Sequence, residues 1–203
     1  MTETLHVLFV HGMGRTALSG WPMLRQLNKA GHTTSSHGYS VSLQSFSAIQ
    51  SGLLERIKAL AGQEYVLIGH SLGGVLIRAA LASLPEGIDP PRHVFLLGSP
   101  VQPSRLLFRL ITRDCGHLLG SDARMAAILI PRLPLTSIIG VQGMSGRLSP
   151  FGSEPNDGVV ALSEVSSDQI ADQVLLPVVH TLLPSSAAVA RVILQRLGQP
   201  AAN

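Results

Sequence analysis

Apolar residues in this chain fall into short β-rich runs separated by stretches with helical spacing. Residues 5–10 form one such run, ending at His11-Gly12, and 21–30 read as a helix closed by Gly31. Residues 39–43 read as a short strand. Apolar positions 49, 53, 54, 57 and 60 recur at helical spacing, predicting a helix over 49–61 that Gly62 stops. A strand over 65–68 is bounded by Gly69, a helix over 75–84 is ended by Pro85, and a strand over 94–97 runs into Gly98-Ser99-Pro100. Strands over 136–141 and 174–179 follow, and a helix over 187–197 closes the pattern.

Strands alternating with helices predict an α/β fold: one mostly parallel sheet with helices on both faces. The pattern occupies 1–198 as one domain, with a short polar tail over 199–203. Two segments break the rhythm. Residues 101–133 carry apolar runs (Leu106-Leu107-Phe108, Ile128-Leu129-Ile130) without a strand pattern, and 142–156 are rich in Gly, Ser and Pro. The first reads as an insertion or cap, the second as a long loop.

Composition narrows the classes. With 203 residues, 45% hydrophobic and 13% charged, the chain has material for one sizeable core. The net charge of +3 comes from scattered Lys and Arg, and aromatics are few. No nucleic-acid partner is expected, though a mildly basic surface is compatible with peripheral membrane contact. Cys115 stands alone, which excludes an internal disulfide and a Cys-based metal site. The start, MTETLHVLFVHG, has no basic leader region, and no apolar run approaches the roughly 20 residues that cross a bilayer. A soluble, cytoplasmic protein is expected.

Chemistry enters at Gly69-His70-Ser71-Leu72-Gly73-Gly74, a match to G-x-S-x-G. The pattern is weak by itself, but here it sits directly between a predicted strand and a predicted helix. That is the placement the motif requires, because a tight strand-to-helix turn holds the serine in strained backbone and projects its Oγ from the sheet edge. Ser71 is therefore the candidate nucleophile. A tetrahedral oxyanion needs prepositioned N–H donors. The residue after the nucleophile, Leu72, should give one. Met13, in the glycine-flanked loop His11-Gly12-Met13-Gly14-Arg15, is best placed to give the other. His11 reads as structural, since the adjacent glycine makes backbone conformation the point.

These segments, with Asn156-Asp157-Gly158-Val159-Val160 and Val179-His180, resemble the α/β-hydrolase superfamily and, within it, compact bacterial lipases and esterases. The resemblance implies a minimal hydrolase fold that begins at the strand carrying the His-Gly motif. It also implies hydrolysis of a carboxylic ester, a lipid acyl ester included, with neither cofactor nor metal.

In that family the order along the chain is Ser, then Asp or Glu, then His. His93 precedes its strand and belongs at the opposite sheet edge, and His117 lies in the insertion. His180 follows the last strand, where the catalytic groups of such sheets gather. His180 is thus the expected base and Asp157 the expected acid orienting it. Other candidate carboxylates in that interval include Asp89, Asp114, Asp122, Glu164, Asp168 and Asp172. About fifteen residues separate the preceding strand from Asp157, so the loop must fold back. Leu106 and Phe108 are candidate acyl-binding residues. Trp21 and Met23 read as helix packing, and Arg78 as a solvated face residue.

Thioester hydrolysis and acyl transfer would use the same machinery. A non-catalytic scaffold on this fold would need none of it. A nucleotide site is remote, because neither phosphate-loop pattern occurs around Gly69–Gly74. Oligomeric state is not legible.

Overall fold

The computed structural model describes residues 4–106 and 114–198. Six strands form one all-parallel sheet in the order β2-β1-β3-β4-β5-β6. They are β1 (His6–Val10), β2 (Thr33–His37), β3 (Tyr65–His70), β4 (His93–Leu97), β5 (Leu135–Gly140) and β6 (Asp172–Leu176). Helices α1 (Trp21–Lys29), α2 (Phe46–Lys58) and α3 (Leu72–Leu81) connect the first four strands, and α7 (Ala187–Leu197) closes the chain. Between β4 and β6 lie the short helices α4 (Asp114–Leu119), α5 (Asp122–Ala126) and α6 (Leu162–Val165).

The period of two along each strand divides the core. Val7, Phe9, Val66, Ile68, Phe95, Leu97 and Ile138 face α1 and α7, where Met23, Leu27, Val189 and Ile193 complete that layer. Leu8, Val10, Leu67, Leu96 and Ile139 face the other way, onto Leu53 and Ile57 of α2 and Leu72 and Leu76 of α3. The central strand β3 is buried throughout. The α/β class and the helices on both faces are as expected.

Three elements differ from expectation. The second strand is Thr33–His37, not 39–43. Its TTSSH sequence is polar because it is an edge strand, half-buried and tied to β1 through His6 Nε2 and Ser35 Oγ at 2.7 Å. Residues 41–43 instead form a turn closed by the Leu43 N–H onto Ser40 O at 3.2 Å. Helix α2 starts three residues earlier than the apolar spacing suggests, because Ser45 caps it by accepting from the Ala48 N–H at 3.2 Å. The last strand ends at Leu176, before Pro177, so a short connection separates it from His180.

The insertion is anchored at both roots by Arg78, which is 1% exposed rather than solvated. Its guanidinium donates to Pro100 O at 2.8 Å and Ile128 O at 3.0 Å. The side chain lies among apolar residues because two main-chain carbonyls reach it there. Burial pushes its pKa down to about 10. A second clasp holds the start of the insertion. Buried Glu164 accepts from Arg105 N at 2.8 Å and Arg105 Nε at 3.0 Å, while its carbonyl accepts from the Val101 and Gln102 N–H groups. No described helix is long and apolar enough to cross a membrane.

Candidate active site

Ser71 lies between the last residue of β3 and the first of α3. Among the described residues it is the one non-glycine residue with positive φ, at φ 52° and ψ −122°. That conformation is sparsely populated by L-residues and costs on the order of 1–3 kcal/mol. It persists because the surroundings fix it. The Ser71 N–H donates to Leu97 O at 2.9 Å, and α3 packs so closely on the end of β1 that a Cβ on Gly73 would overlap the Val10 and His11 carbonyls. Only glycine at that position lets strand and helix meet.

The loop after β1 closes over this turn. A Cβ on Gly12 would stand 3.1 Å from Ser71 Cβ. Arg15 N–H donates to Gly12 O at 3.3 Å, making residues 12–15 a turn with Gly14 at φ 68°. Met13 is the first central residue of that turn and half-buried against the α2/α3 layer. Leu72, as the first residue of α3, has an N–H with no acceptor inside the helix. His11 is fully used structurally. Its Nδ1–H donates to Gly12 O at 2.8 Å, Nε2 accepts the Tyr39 N–H at 3.3 Å, and the ring stacks on Tyr39 at 4.1 Å. Burial lowers its pKa, which keeps that neutral tautomer.

Asp157 and His180 meet at the same edge. His180 Nδ1–H donates to Asp157 Oδ2 at 2.6 Å, and both residues are buried. The other carboxylate oxygen, Oδ1, accepts the Val159 and Val160 N–H groups at 3.0 and 2.8 Å. Both oxygens of Asp157 therefore meet fixed donors. The pair touches the turn holding Ser71 through two neighbours. Gly98, directly after the Leu97 that binds the Ser71 N–H, has φ 52°, and a Cβ there would lie 3.0 Å from both Asp157 Oδ2 and His180 Nδ1. His70, directly before Ser71, has its Nε2 3.0 Å from His180 O.

The long loop returns Asp157 to this edge through Asn156. The Asn156 side chain donates to Met144 O at 3.0 Å, its carbonyl accepts the Gly143 N–H at 2.7 Å, and its Oδ1 accepts the Gly158 N–H at 2.9 Å. Neither this staple nor the role of Gly98 is visible in composition or periodicity. Asn-Asp-Gly signals a turn, but not what the turn holds.

Other expected residues lie elsewhere. Leu106 is half-buried in a turn and is not packed on either core layer. Phe108 lies outside the described residues. Trp21 is 56% exposed, with the Arg25 guanidinium over its ring, while Met23 is core. His93 stands at the start of β4, at the opposite edge, as expected. Of the alternative acids, Asp114 accepts the Phe46 N–H at 2.8 Å and pairs with Arg124, and Asp172 pairs with Arg196. Cys115 is buried, which raises its thiol pKa to about 11 and makes it a poor nucleophile. A cavity of about 620 Å³ opens at the far edge between Arg92, His93, Ile170 and Arg196, away from Ser71.

Comparison with known proteins supports the fold. The model of the alpha/beta hydrolase family matches residues 7–197. A probable esterase of Oryza sativa is 29% identical over 93 residues, which cover 41% of this chain and only 35% of that protein. Among solved structures, a mature lipase of Bacillus licheniformis superposes with a TM-score of 0.70 at 17% identity, covering 96% of this chain and 92% of that one. A thioesterase of the prodiginine pathway of Streptomyces coelicolor gives 0.63 at 15% identity, covering 97% and 90%. A phospholipase of Legionella pneumophila gives 0.76 at 15%, covering 98% of this chain and 61% of that one. Likenesses at such low identity speak for the fold, but the family match runs through every strand and the turn at Ser71. The chain belongs to the alpha/beta hydrolase family.

Proposed function

We propose that the protein is a serine hydrolase of carboxylic esters, acting through an acyl-enzyme on Ser71. The observation that carries this is the 2.6 Å bond from His180 Nδ1–H to buried Asp157, at the edge where Ser71 is held in strained backbone. With Nδ1 committed to Asp157, Nε2 is the nitrogen left to accept a proton.

Ser71 Oγ attacks the acyl carbon while its proton passes to His180 Nε2. Asp157 stabilises the imidazolium so formed. The N–H groups of Met13 and Leu72 receive the oxyanion, helped by the positive end of α3. Collapse expels the alcohol, which takes the proton from Nε2. A water then gives a proton to Nε2 and attacks the acyl carbon; the bond to Ser71 Oγ breaks, Oγ takes the proton back from Nε2, and the carboxylic acid leaves.

The apolar runs in the sequence of the insertion favour acyl esters, lipid-type ones included, as the proposed substrates. An acyl thioester would fit the same steps, and the thioesterase among the structural likenesses makes it the comparison arm. The test is reaction with a fluorophosphonate, followed by hydrolysis of p-nitrophenyl esters and acyl thioesters of graded length. Labelling on Ser71, lost in Ser71→Ala, is expected. A folded protein that takes no label would instead be a binding scaffold.

A further inference from the structure

His70 occupies the variable position of the G-x-S-x-G turn and is buried against His180, with ring centroids 4.8 Å apart. A carbonyl can only accept, so the 3.0 Å contact with His180 O places a proton on His70 Nε2. Nδ1 then carries a lone pair and is buried without a partner. Leaving a buried polar atom unpaired is unfavourable, so the tautomer is fixed at some expense by the bond on the other nitrogen.

The consequence concerns how His180 is held. Its N–H donates to Asp157 O at 2.9 Å, its ring Nδ1–H to Asp157 Oδ2 at 2.6 Å, and its carbonyl receives the His70 proton. Arg15 fixes the next carbonyl, Thr181 O, at 2.5 Å. Asp157 can orient the imidazole relative to the acid loop, but it does not fix the imidazole relative to Ser71. Among these bonds, the one from His70 joins the residue carrying the base to the residue adjoining the nucleophile. The groups facing His70 are His180, Arg15 and His11. Burial foremost, and then repulsion from a proton on His180 and from the Arg15 guanidinium, keeps its pKa well below the usual histidine range, the bond to the His180 carbonyl opposing them only in part. It therefore stays a neutral donor when His180 takes a proton.

We infer that His70 is a positioning residue: its Nε2–H, bonded to the His180 carbonyl, sets the distance between the base and Ser71. The inference rests on the Ser71–His180–Asp157 reading, and two variants test it. His70→Phe keeps an aromatic ring and removes the donor, whereas His70→Gln supplies an amide N–H that can reach the same carbonyl.

With p-nitrophenyl ester, His70→Phe should lower kcat by about 10- to 100-fold, the scale of a misplaced catalytic group, with KM within about twofold. His70→Gln should stay within about threefold of wild type. In NMR, the His180 Nδ1–H resonance, identified by its loss in His180→Ala, should exchange faster with solvent in the Phe variant and at the wild-type rate in the Gln variant. Unchanged kcat and exchange in the Phe variant would reduce His70 to a space-filler. Equal losses in both variants would assign the effect to ring packing and overturn the tether. Should the Phe variant not fold, the Gln variant decides alone, since a loss beyond about tenfold contradicts the tether. A wild type that neither hydrolyses ester nor takes fluorophosphonate would sink the triad reading, while the exchange rates still report whether His70 holds His180.

Discussion

Asp157 and His180 are joined twice, once through the side chains at 2.6 Å and once through the His180 N–H onto the Asp157 carbonyl at 2.9 Å. The main-chain bond brings the two residues together whatever the side chain at 157. The side-chain bond selects the tautomer.

This separation makes Asp157→Asn informative. The amide must still satisfy the Val159 and Val160 N–H groups with its oxygen, which turns its NH₂ towards His180. That donor favours the wrong imidazole tautomer. Ester hydrolysis should fall by about four orders of magnitude in kcat, while thermal unfolding shifts little. A variant of full activity would move the acid to another residue.

Ser71 stores strain that its hydroxyl chemistry does not need for stability. Ser71→Gly should abolish esterase activity and fluorophosphonate labelling, yet raise the free energy of unfolding by about 1 kcal/mol, since glycine adopts φ 52° without a Cβ clash. Ser71→Ala should lose activity without that gain. Urea unfolding of the three proteins measures the difference, and a destabilised glycine variant would show that no strain resides at the turn.

The turn at Ser71 was legible because its chemistry and its local structure share one stretch of chain: a buried apolar strand, a tight motif and a helix. The edge strand Thr33–His37 was not, because a strand paired on one side and half-exposed needs no apolar alternation. Arg78 departs from the solvated face that its residue type suggests, for a different reason. Its partners, Pro100 O and Ile128 O, come from 22 and 50 residues away, and residue type alone places arginine in water. Chain order singles out Asp157 as the candidate acid, but the staple through Asn156 that returns it across the long loop depends on contacts no spacing encodes.

Arg78 yields the next prediction. A planar guanidinium reaches both carbonyls at the roots of the insertion, whereas lysine is a point charge that can serve only one at good geometry. Arg78→Lys should destabilise the fold by about 2 kcal/mol, from one carbonyl left unpaired in the interior. The insertion should also open more readily. Limited trypsin digestion should cut at Arg105 or Arg124 faster in the variant than in wild type, and equal rates would show that Arg78 does not hold the insertion.

At the opposite edge, burial lowers the pKa of His93 to about 4, the nearby Asp172 carboxylate only partly opposing it, and its Nε2 lies 2.8 Å from Thr136 Oγ1. The unfolded chain holds this imidazole near its ordinary value of about 6.5. Between the two values the unfolded state binds the extra proton, so stability must rise with pH there. The contribution is fully present above about 6.5 and is lost as pH falls towards 4. The slope should approach about 1.4 kcal/mol per pH unit within the window. His93→Gln can keep a bond to Thr136 without titrating. Urea midpoints at pH 4.5, 5.5 and 7 should therefore converge for wild type and variant at the acid end and diverge towards neutrality. A constant gap across the three would mean that His93 stays as readily protonated in the fold as in the free chain.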